Sequence, residues 1–296
     1  MNRYHTPLRY PGGKQKLVTF FRELFVANDI VGGEYAEPFA GGAGVAIELL
    51  LDGTAGRIHL NDLSKPVYAF WRSLLRAPDD FCRLVSRASL TIDEWRRQRE
   101  ILQRPAAHSQ LEVGFATFFL NRVNRSGIIG GGVIGGLDQS GPWKMDARFS
   151  RSDLVRRVER IAARRADIRV TRLDGARFLR EQVPAMPRNS LVYLDPPYFH
   201  RAERLYLNRF SPEDHAALAK TVQGRLRRLW VVSYDDAPAI RALYSKRRRL
   251  EYALQYNAAR VQQGHELIFV SDELVLPNRS GHRSIDAALR YARRAA

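Results

Sequence analysis

The stretch that constrains this chain most is Leu191-Val192-Tyr193-Leu194-Asp195-Pro196-Pro197-Tyr198. Four apolar, β-prone residues end in a carboxylate, and two prolines follow at once. Proline has no N–H to extend a ladder, so a strand through Leu191 to Leu194 must stop at Asp195. The same prolines stiffen the backbone and aim Asp195 and Tyr198 beyond the strand's carboxyl end. In open α/β sheets that rim is where ligands bind.

Other strand and acid pairs repeat the pattern. Glu34-Tyr35-Ala36-Glu37-Pro38-Phe39-Ala40-Gly41-Gly42-Ala43-Gly44 runs from a strand into a glycine turn and then a helix, Val45 to Leu51. Gly42 and Gly44 match two positions of a dinucleotide fingerprint, but Ile47 occupies the third. What remains is Glu37 before a turn that lets a ligand approach the backbone closely. Arg57-Ile58-His59-Leu60 reads as a second strand ending in Asn61-Asp62, a carboxylate about 20 residues past the turn, where such folds hold a ribose. Capping of the next helix is the alternative role for Asp62. Ile168-Arg169-Val170 leads to Asp174, and Leu229 to Ser233 and Glu266 to Val270 read as further strands. Ser211 as N-cap with Pro212 at N1 opens a helix. The fold class expected is α/β, a doubly wound and mostly parallel sheet.

The amino-terminal Leu8-Arg9-Tyr10-Pro11-Gly12-Gly13-Lys14 is a turn before a helical pattern at Leu17, Val18, Phe20, Phe21 and Leu24. A P-loop would need Gly at position 8 and Ser or Thr at 15, where this chain has Leu8 and Gln15. A glycine turn and a lysine at a helix start remain, suited to an anion or a carboxylate.

From 66 to 165 amphipathic helices replace the strands. This stretch has 18 basic against 10 acidic residues, in a chain whose formal net charge is +17. It is nearly twice as basic per residue as the remainder, which marks it as an inserted helical module facing a polyanion. The expected division is a catalytic domain of 1–65 and 166–296 around an insert of 66–165. Within the insert, Asn121-Arg122-Val123-Asn124-Arg125-Ser126-Gly127 precedes a glycine-rich hairpin reaching Gly136. Asn and Arg pair bidentately with base edges, although turn chemistry uses the same residues.

The single Cys82 rules out a disulfide framework and fits a cytoplasmic setting. No run of about 18 apolar residues calls for a membrane. His265-Glu266 suggests a metal motif, but its second histidine would fall on Phe269, so no metal is expected.

Glu37, Asp62, Asp174 and Asp195 thus converge on one acidic crevice in a basic protein. A nucleoside cofactor carrying positive charge suits it, and S-adenosyl-L-methionine is such a cofactor. On Leu8 to Lys14, Tyr35 to Gly44, Leu60-Asn61-Asp62-Leu63 and Asp195-Pro196-Pro197-Tyr198, in that order, the chain resembles the DNA adenine-N6 methyltransferases of the Dam type. The resemblance implies a class I methyltransferase fold and methylation of a flipped-out adenine in double-stranded DNA. It implies a catalytic group of Asp195, Pro196, Pro197 and Tyr198, with Asp195 and the Pro196 carbonyl accepting the N6 hydrogens and Tyr198 stacking on the base. It also implies cofactor contacts from Tyr10, Gly12, Lys14, Glu37, Pro38, Phe39, Gly41, Gly42, Asp62, Asp174 and Asp195. Asp174 departs from the family pattern, because Gly175 follows it where an aromatic is expected. Arg9, Asn121, Arg122, Asn124 and Arg125 are the DNA-contact candidates, in a loop unlike that of the GATC-reading members. A monomer is the favoured state, and a cognate restriction endonuclease in a restriction-modification pair is an admissible partner. The competing readings are methylation of RNA or of a protein side chain, and a catalytically silent DNA-binding protein.

Overall fold

The computed structural model describes residues 5–9, 14–199, 210–257, 261–278, 285–287 and 289. Seven strands form one sheet: β1 (Glu34–Glu37), β2 (Arg57–Asn61), β3 (Ile168–Thr171), β4 (Ser190–Leu194), β5 (Leu229–Asp235), β6 (Arg248–Asn257) and β7 (Val261–Val270). Their order is β3-β2-β1-β4-β5-β7-β6. The first five are parallel, and β7 runs antiparallel between β5 and β6. The expected doubly wound sheet is therefore the one observed. β4 is buried along its whole length, as a central parallel strand covered on both faces must be.

Alternation within β4 sorts its side chains between two apolar layers. Leu191 and Tyr193 join Tyr35, Ile58 and Leu60 on one face, against α1 (Val18–Ala27) and α2 (Gly44–Leu51). Val192 and Leu194 join Ala36, Val232 and Tyr234 on the other, against α8 (Gly175–Glu181), α9 (Pro212–Arg225) and α10 (Pro238–Leu243). Strand order reverses between β1 and β4, which opens a crevice at their carboxyl ends. β1 ends there in Glu37, and β4 is followed there by Asp195.

Between β2 and β3 the chain makes α3 (Lys65–Arg76), α4 (Pro78–Arg87), α5 (Ile92–Gln103), α6 (Gln110–Val123) and α7 (Arg151–Ala162). A capping box of Ser109 and Glu112 starts α6, satisfying orphan amides from both ends of the motif. Phe70, Trp71, Phe118 and Phe119 from these helices belong to the same apolar cluster as Phe20, Phe21 and Tyr35. The stretch thus shares a core with one face of the sheet. Trp71 Nε1 donates to the Gly41 carbonyl at 3.0 Å, tying α3 to the glycine turn.

Two local expectations shift. Lys246 to Arg249 reads as a basic turn, but β6 begins at Arg248, whose guanidinium donates to the Ser271 and Leu274 carbonyls. The helix that the sequence suggests over Leu154 to Ala166 starts at Arg151 and ends at Ala162. Most of the basic tail, 283–294, lies outside the described residues, as do Tyr10 and Gly12. No described helix is long and apolar enough to cross a membrane.

Candidate active site

Asp195 leaves β4 directly into the crevice, its side chain 24% exposed. Its Oδ1 accepts a hydrogen bond from Ser233 Oγ at 2.7 Å and lies 3.2 Å from Lys14 Nζ. Ser233 is itself 2.8 Å from the buried Tyr193 hydroxyl. Both of these contacts fall on Oδ1, and among the described residues none falls on Oδ2. Burial pushes the Asp195 carboxyl up, and the Lys14 ammonium pulls it back toward the ionised form. Pro196 and Pro197 are buried and hold the turn.

Lys14, expected on the cofactor, has its ammonium against Asp195 and Tyr198. It is 4% exposed, donates to the Tyr198 hydroxyl, and stands 4.8 Å from the centroid of that ring. Tyr198 is only 3% exposed. A base that stacks on it must first displace neighbouring chain, so this ring is not an open platform. Glu266 on β7, which the sequence offers only as half of a failed metal motif, completes the cluster. It lies 3.0 Å from Lys14 Nζ and accepts from Tyr198.

On the cofactor side, Glu37 and Asp62 brace the glycine turn. Glu37 Oε1 accepts from Tyr35 Oη and from the Ala46 amide in the first turn of α2, both at 3.1 Å. Its Oε2 has no donor among the described residues. Burial drives the carboxyl up to about 8 against those two hydrogen bonds. Asp62 Oδ2 accepts from the Gly41 amide and Oδ1 from the Ser64 amide, each at 2.9 Å, while burial raises the group to about 6. Each Asp62 oxygen keeps a second lone pair. Gly41 has φ +46°, and Ala43 repeats that left-handed geometry at the start of α2. The Pro38 carbonyl accepts from Asn61 at 2.9 Å, and the Gly42 carbonyl from Thr6 at 2.6 Å, which sets the turn's shape.

Asp174 is exposed and caps α8 by accepting from the Arg177 amide at 3.1 Å. The missing aromatic after it has a physical substitute. The Phe39 ring packs on Gly175 so closely that a Cβ there would stand 2.4 Å from Phe39 Cζ.

The DNA-contact candidates need a correction. Asn121 and Asn124 are 0% exposed and Arg122 is 7% exposed. Asn121 clamps the Arg9 backbone, accepting from its amide at 2.7 Å and donating to its carbonyl at 2.8 Å. Arg122 donates to the Arg148 and Pro7 carbonyls. Asn124 accepts from Trp95 Nε1 at 2.8 Å and donates to the Ile128 and Ile129 carbonyls. These three side chains spend their hydrogen bonds inside the protein, so they shape the loop and do not face a duplex. Arg125 is exposed and Arg9 half-buried. Sequence reasoning missed Trp143, 72% exposed, and Leu137, 59% exposed, beyond the glycines. Trp143 and Arg125 help line a groove of about 490 Å³.

Asp195 and Glu37, close enough for the charge of Asp195 to push the Glu37 carboxyl up, thus stand at the carboxyl ends of the two strands that flank the topological switch point. A family model for the D12 class of N6 adenine-specific DNA methyltransferases matches residues 10–258. The chain belongs to that family. The D12 methyltransferase therefore transfers a methyl group from S-adenosylmethionine to adenine N6 in DNA, which removes RNA and protein as the competing acceptors. No curated protein matches the chain. Among solved structures, protein LPL1258 from Legionella pneumophila is 11% identical, with 94% of this chain and 89% of that one covered at a TM-score of 0.39. The rRNA methyltransferase AviRa from Streptomyces viridochromogenes is 13% identical over 81% and 77%, TM-score 0.30. A precorrin-6Y C5,15-methyltransferase from Geobacter metallireducens is 9% identical over 84% and 84%, TM-score 0.32.

The donor set fits the cofactor. Glu37 Oε2 and the spare lone pairs of Asp62 offer acceptors for its amine and ribose hydroxyls, and the Phe39 ring offers an apolar face for its adenine. Among the described residues no cluster of His, Cys, Asp or Glu could hold a metal ion.

Proposed function

We propose that the enzyme methylates a specific adenine in double-stranded DNA after the base has been flipped from the helix, with Asp195 as the residue that grips its N6. The observation that carries this is the pairing of Asp195 Oδ1 with Ser233 and Lys14, with no described donor on Oδ2. The lone pair of an adenine amino group is delocalised into the ring, so the group is a poor nucleophile. Asp195 Oδ2 and the Pro196 carbonyl accept hydrogen bonds from the two N6 hydrogens, draw the nitrogen toward tetrahedral geometry and stabilise the positive charge that develops on it as the N–C bond forms and the C–S bond breaks, with the demethylated thioether as leaving group and the surplus N6 proton lost afterwards. This is positioning and preorganised electrostatics, with no covalent enzyme intermediate. When bound, S-adenosylmethionine supplies the electrophilic methyl on a sulfonium sulfur. Glu37, Phe39, Asp62 and Asp174 would hold it, with Asp62 on the ribose. Flipping is needed because the methyl must approach N6 perpendicular to the ring, where the stacked neighbours cover it; Tyr198, 3% exposed, becomes a stacking partner only once its ring is uncovered.

The 66–165 stretch serves in this reading as the target-recognition module. Its charge draws the phosphate backbone, and Arg125 with Trp143 presents a cation and an exposed ring beside one groove. The enzyme acts as a cytoplasmic monomer, with a cognate restriction endonuclease as a candidate companion. Transfer of labelled methyl to duplex DNA, to the same sequence as single strands, and to RNA tests the reading. Label in duplex DNA at adenine N6 is expected; equal labelling of single strands would remove base flipping from the account.

A further inference from the structure

Glu266 contributes a second buried carboxylate to the catalytic cluster. It sits on β7, between the apolar layers, with 0% exposure, and it is followed by Leu267, Ile268 and Phe269, all buried. A buried carboxylate is strongly disfavoured unless charge and hydrogen bonds compensate it. Here both oxygens are engaged. Oε2 lies 3.0 Å from Lys14 Nζ and accepts from the Tyr252 hydroxyl; Oε1 lies 3.2 Å from Lys14 Nζ and accepts from the Tyr198 hydroxyl. Lys14 reaches on to Asp195 Oδ1 and to Tyr198. One carboxylate thus joins the amino-terminal turn, the catalytic tetrapeptide and the antiparallel edge hairpin.

We propose that Glu266 is a positioning residue for methyl transfer: it fixes the Lys14 ammonium and the Tyr198 hydroxyl, and through Lys14 it holds Asp195 Oδ1 so that Oδ2 faces the amine. The inference rests on the reading of Asp195 as the N6 acceptor. An ammonium held from two sides has one place to stand. Without Glu266 it would lose the carboxylate that opposes Asp195, and its hold on the orientation of Asp195 Oδ1 would weaken. Glu266 is bonded to Lys14, Tyr198 and Tyr252, whereas Glu37 and Asp62 are held by Tyr35, Ala46, Gly41 and Ser64, so its loss should register in the chemical step and not in cofactor affinity.

The test uses the full chain, unmethylated genomic DNA and labelled S-adenosylmethionine. Glu266→Gln keeps the side-chain shape and removes the charge; kcat should fall by about tenfold or more with the cofactor KM changed by less than about threefold. In the double variant with Lys14→Met, Glu266→Gln should add a smaller fold-loss than it causes alone, because its contact to Lys14 is already gone. A wild-type kcat in Glu266→Gln, or losses that multiply in the double variant as for a merely structural residue, overturns the proposal. If Glu266→Gln does not fold, Glu266→Asp keeps the charge but draws it back by one methylene. It carries the same expectations and the same overturning results. Asp195→Ala, run alongside, separates the two readings: activity in that variant sinks the role of Asp195 itself, whatever Glu266 does.

Discussion

Ser233 Oγ donates to Asp195 Oδ1 at 2.7 Å, and that bond, backed by the Tyr193 hydroxyl 2.8 Å from Ser233, engages the carboxylate oxygen opposite the one proposed to meet the adenine amine. β4 and β5 lie side by side in parallel register, with Leu194 opposite Val232. The residue after each then comes level at the sheet rim, and a hydroxyl on β5 reaches a carboxylate on β4 without any loop to place it.

Ser233→Ala should therefore cost chemistry more than stability. A hydrogen bond to a charged group contributes about 1.5–3 kcal/mol, so a kcat lower by roughly tenfold to a hundredfold is expected if the bond is fully expressed in the transition state. Asp195→Ala should abolish methylation and leave DNA binding intact. Single-turnover transfer and gel-shift affinity measure the two separately, and a wild-type transfer rate in Asp195→Ala would refute its assignment.

The raised acids of the cofactor pocket make binding depend on pH. Glu37 titrates at about 8 and Asp62 at about 6, and a cationic cofactor favours their ionised forms. Affinity for S-adenosylmethionine should rise as pH increases from 6 toward 8, with proton release detectable by calorimetry in buffers of different ionisation enthalpy. Stability of the ligand-free protein should move the other way. A carboxyl whose folded pKa is raised contributes stability that is complete below its unfolded value and is lost as pH climbs through the folded value. For Glu37 that window runs from the ordinary glutamate range to about 8. Glu37→Gln should flatten both profiles; a pH-independent Kd in the native enzyme would remove Glu37 from the cofactor pocket.

How much of this was legible depends on the range of the interaction. Strand ends, the glycine turn and the Ser211 cap are written in a few consecutive residues, so Glu37, Asp62 and Asp195 are readable as crevice acids before any coordinates. Partnerships across the chain are not. Lys14 and Glu266 are separated by 252 positions, and Asn121 and Arg9 by 112. Asn and Arg types serve equally to read a base or to satisfy a buried carbonyl. Only burial separates the two uses, and it assigns Asn121, Arg122 and Asn124 to the second. Gly175 illustrates the same limit: the sequence records a missing aromatic, and the fold supplies one from Phe39.

That substitution is testable. In Gly175→Ala the new Cβ would meet Phe39 Cζ at 2.4 Å and Cε1 at 2.8 Å, so the ring must shift. Overpacking of this kind costs about 1–3 kcal/mol, read as a lower melting temperature. The KM for S-adenosylmethionine should rise several-fold with kcat at saturation little changed. An unchanged KM would mean that the Phe39 ring does not border the cofactor.

The last prediction separates the residues that build the recognition loop from those that face the DNA. Asn124→Ala leaves Trp95 Nε1 and the Ile128 and Ile129 carbonyls without their partner. Each unsatisfied buried group costs about 1–3 kcal/mol, so the melting temperature and DNA affinity should fall together. Gly127→Ala should behave alike, since its φ is +74° and a Cβ would stand 2.1 Å from the Arg9 carbonyl oxygen. Arg125→Ala and Trp143→Ala, both at exposed positions, should leave the melting temperature unchanged and weaken DNA binding. If Arg125 meets a phosphate, its removal lowers the slope of log affinity against log salt by about 1 and weakens all sequences alike. Trp143→Ala should leave that slope intact, because a ring neutralises no phosphate. A fall in melting temperature for Arg125→Ala, or native DNA affinity in both exposed variants, would move the DNA-facing surface away from this groove.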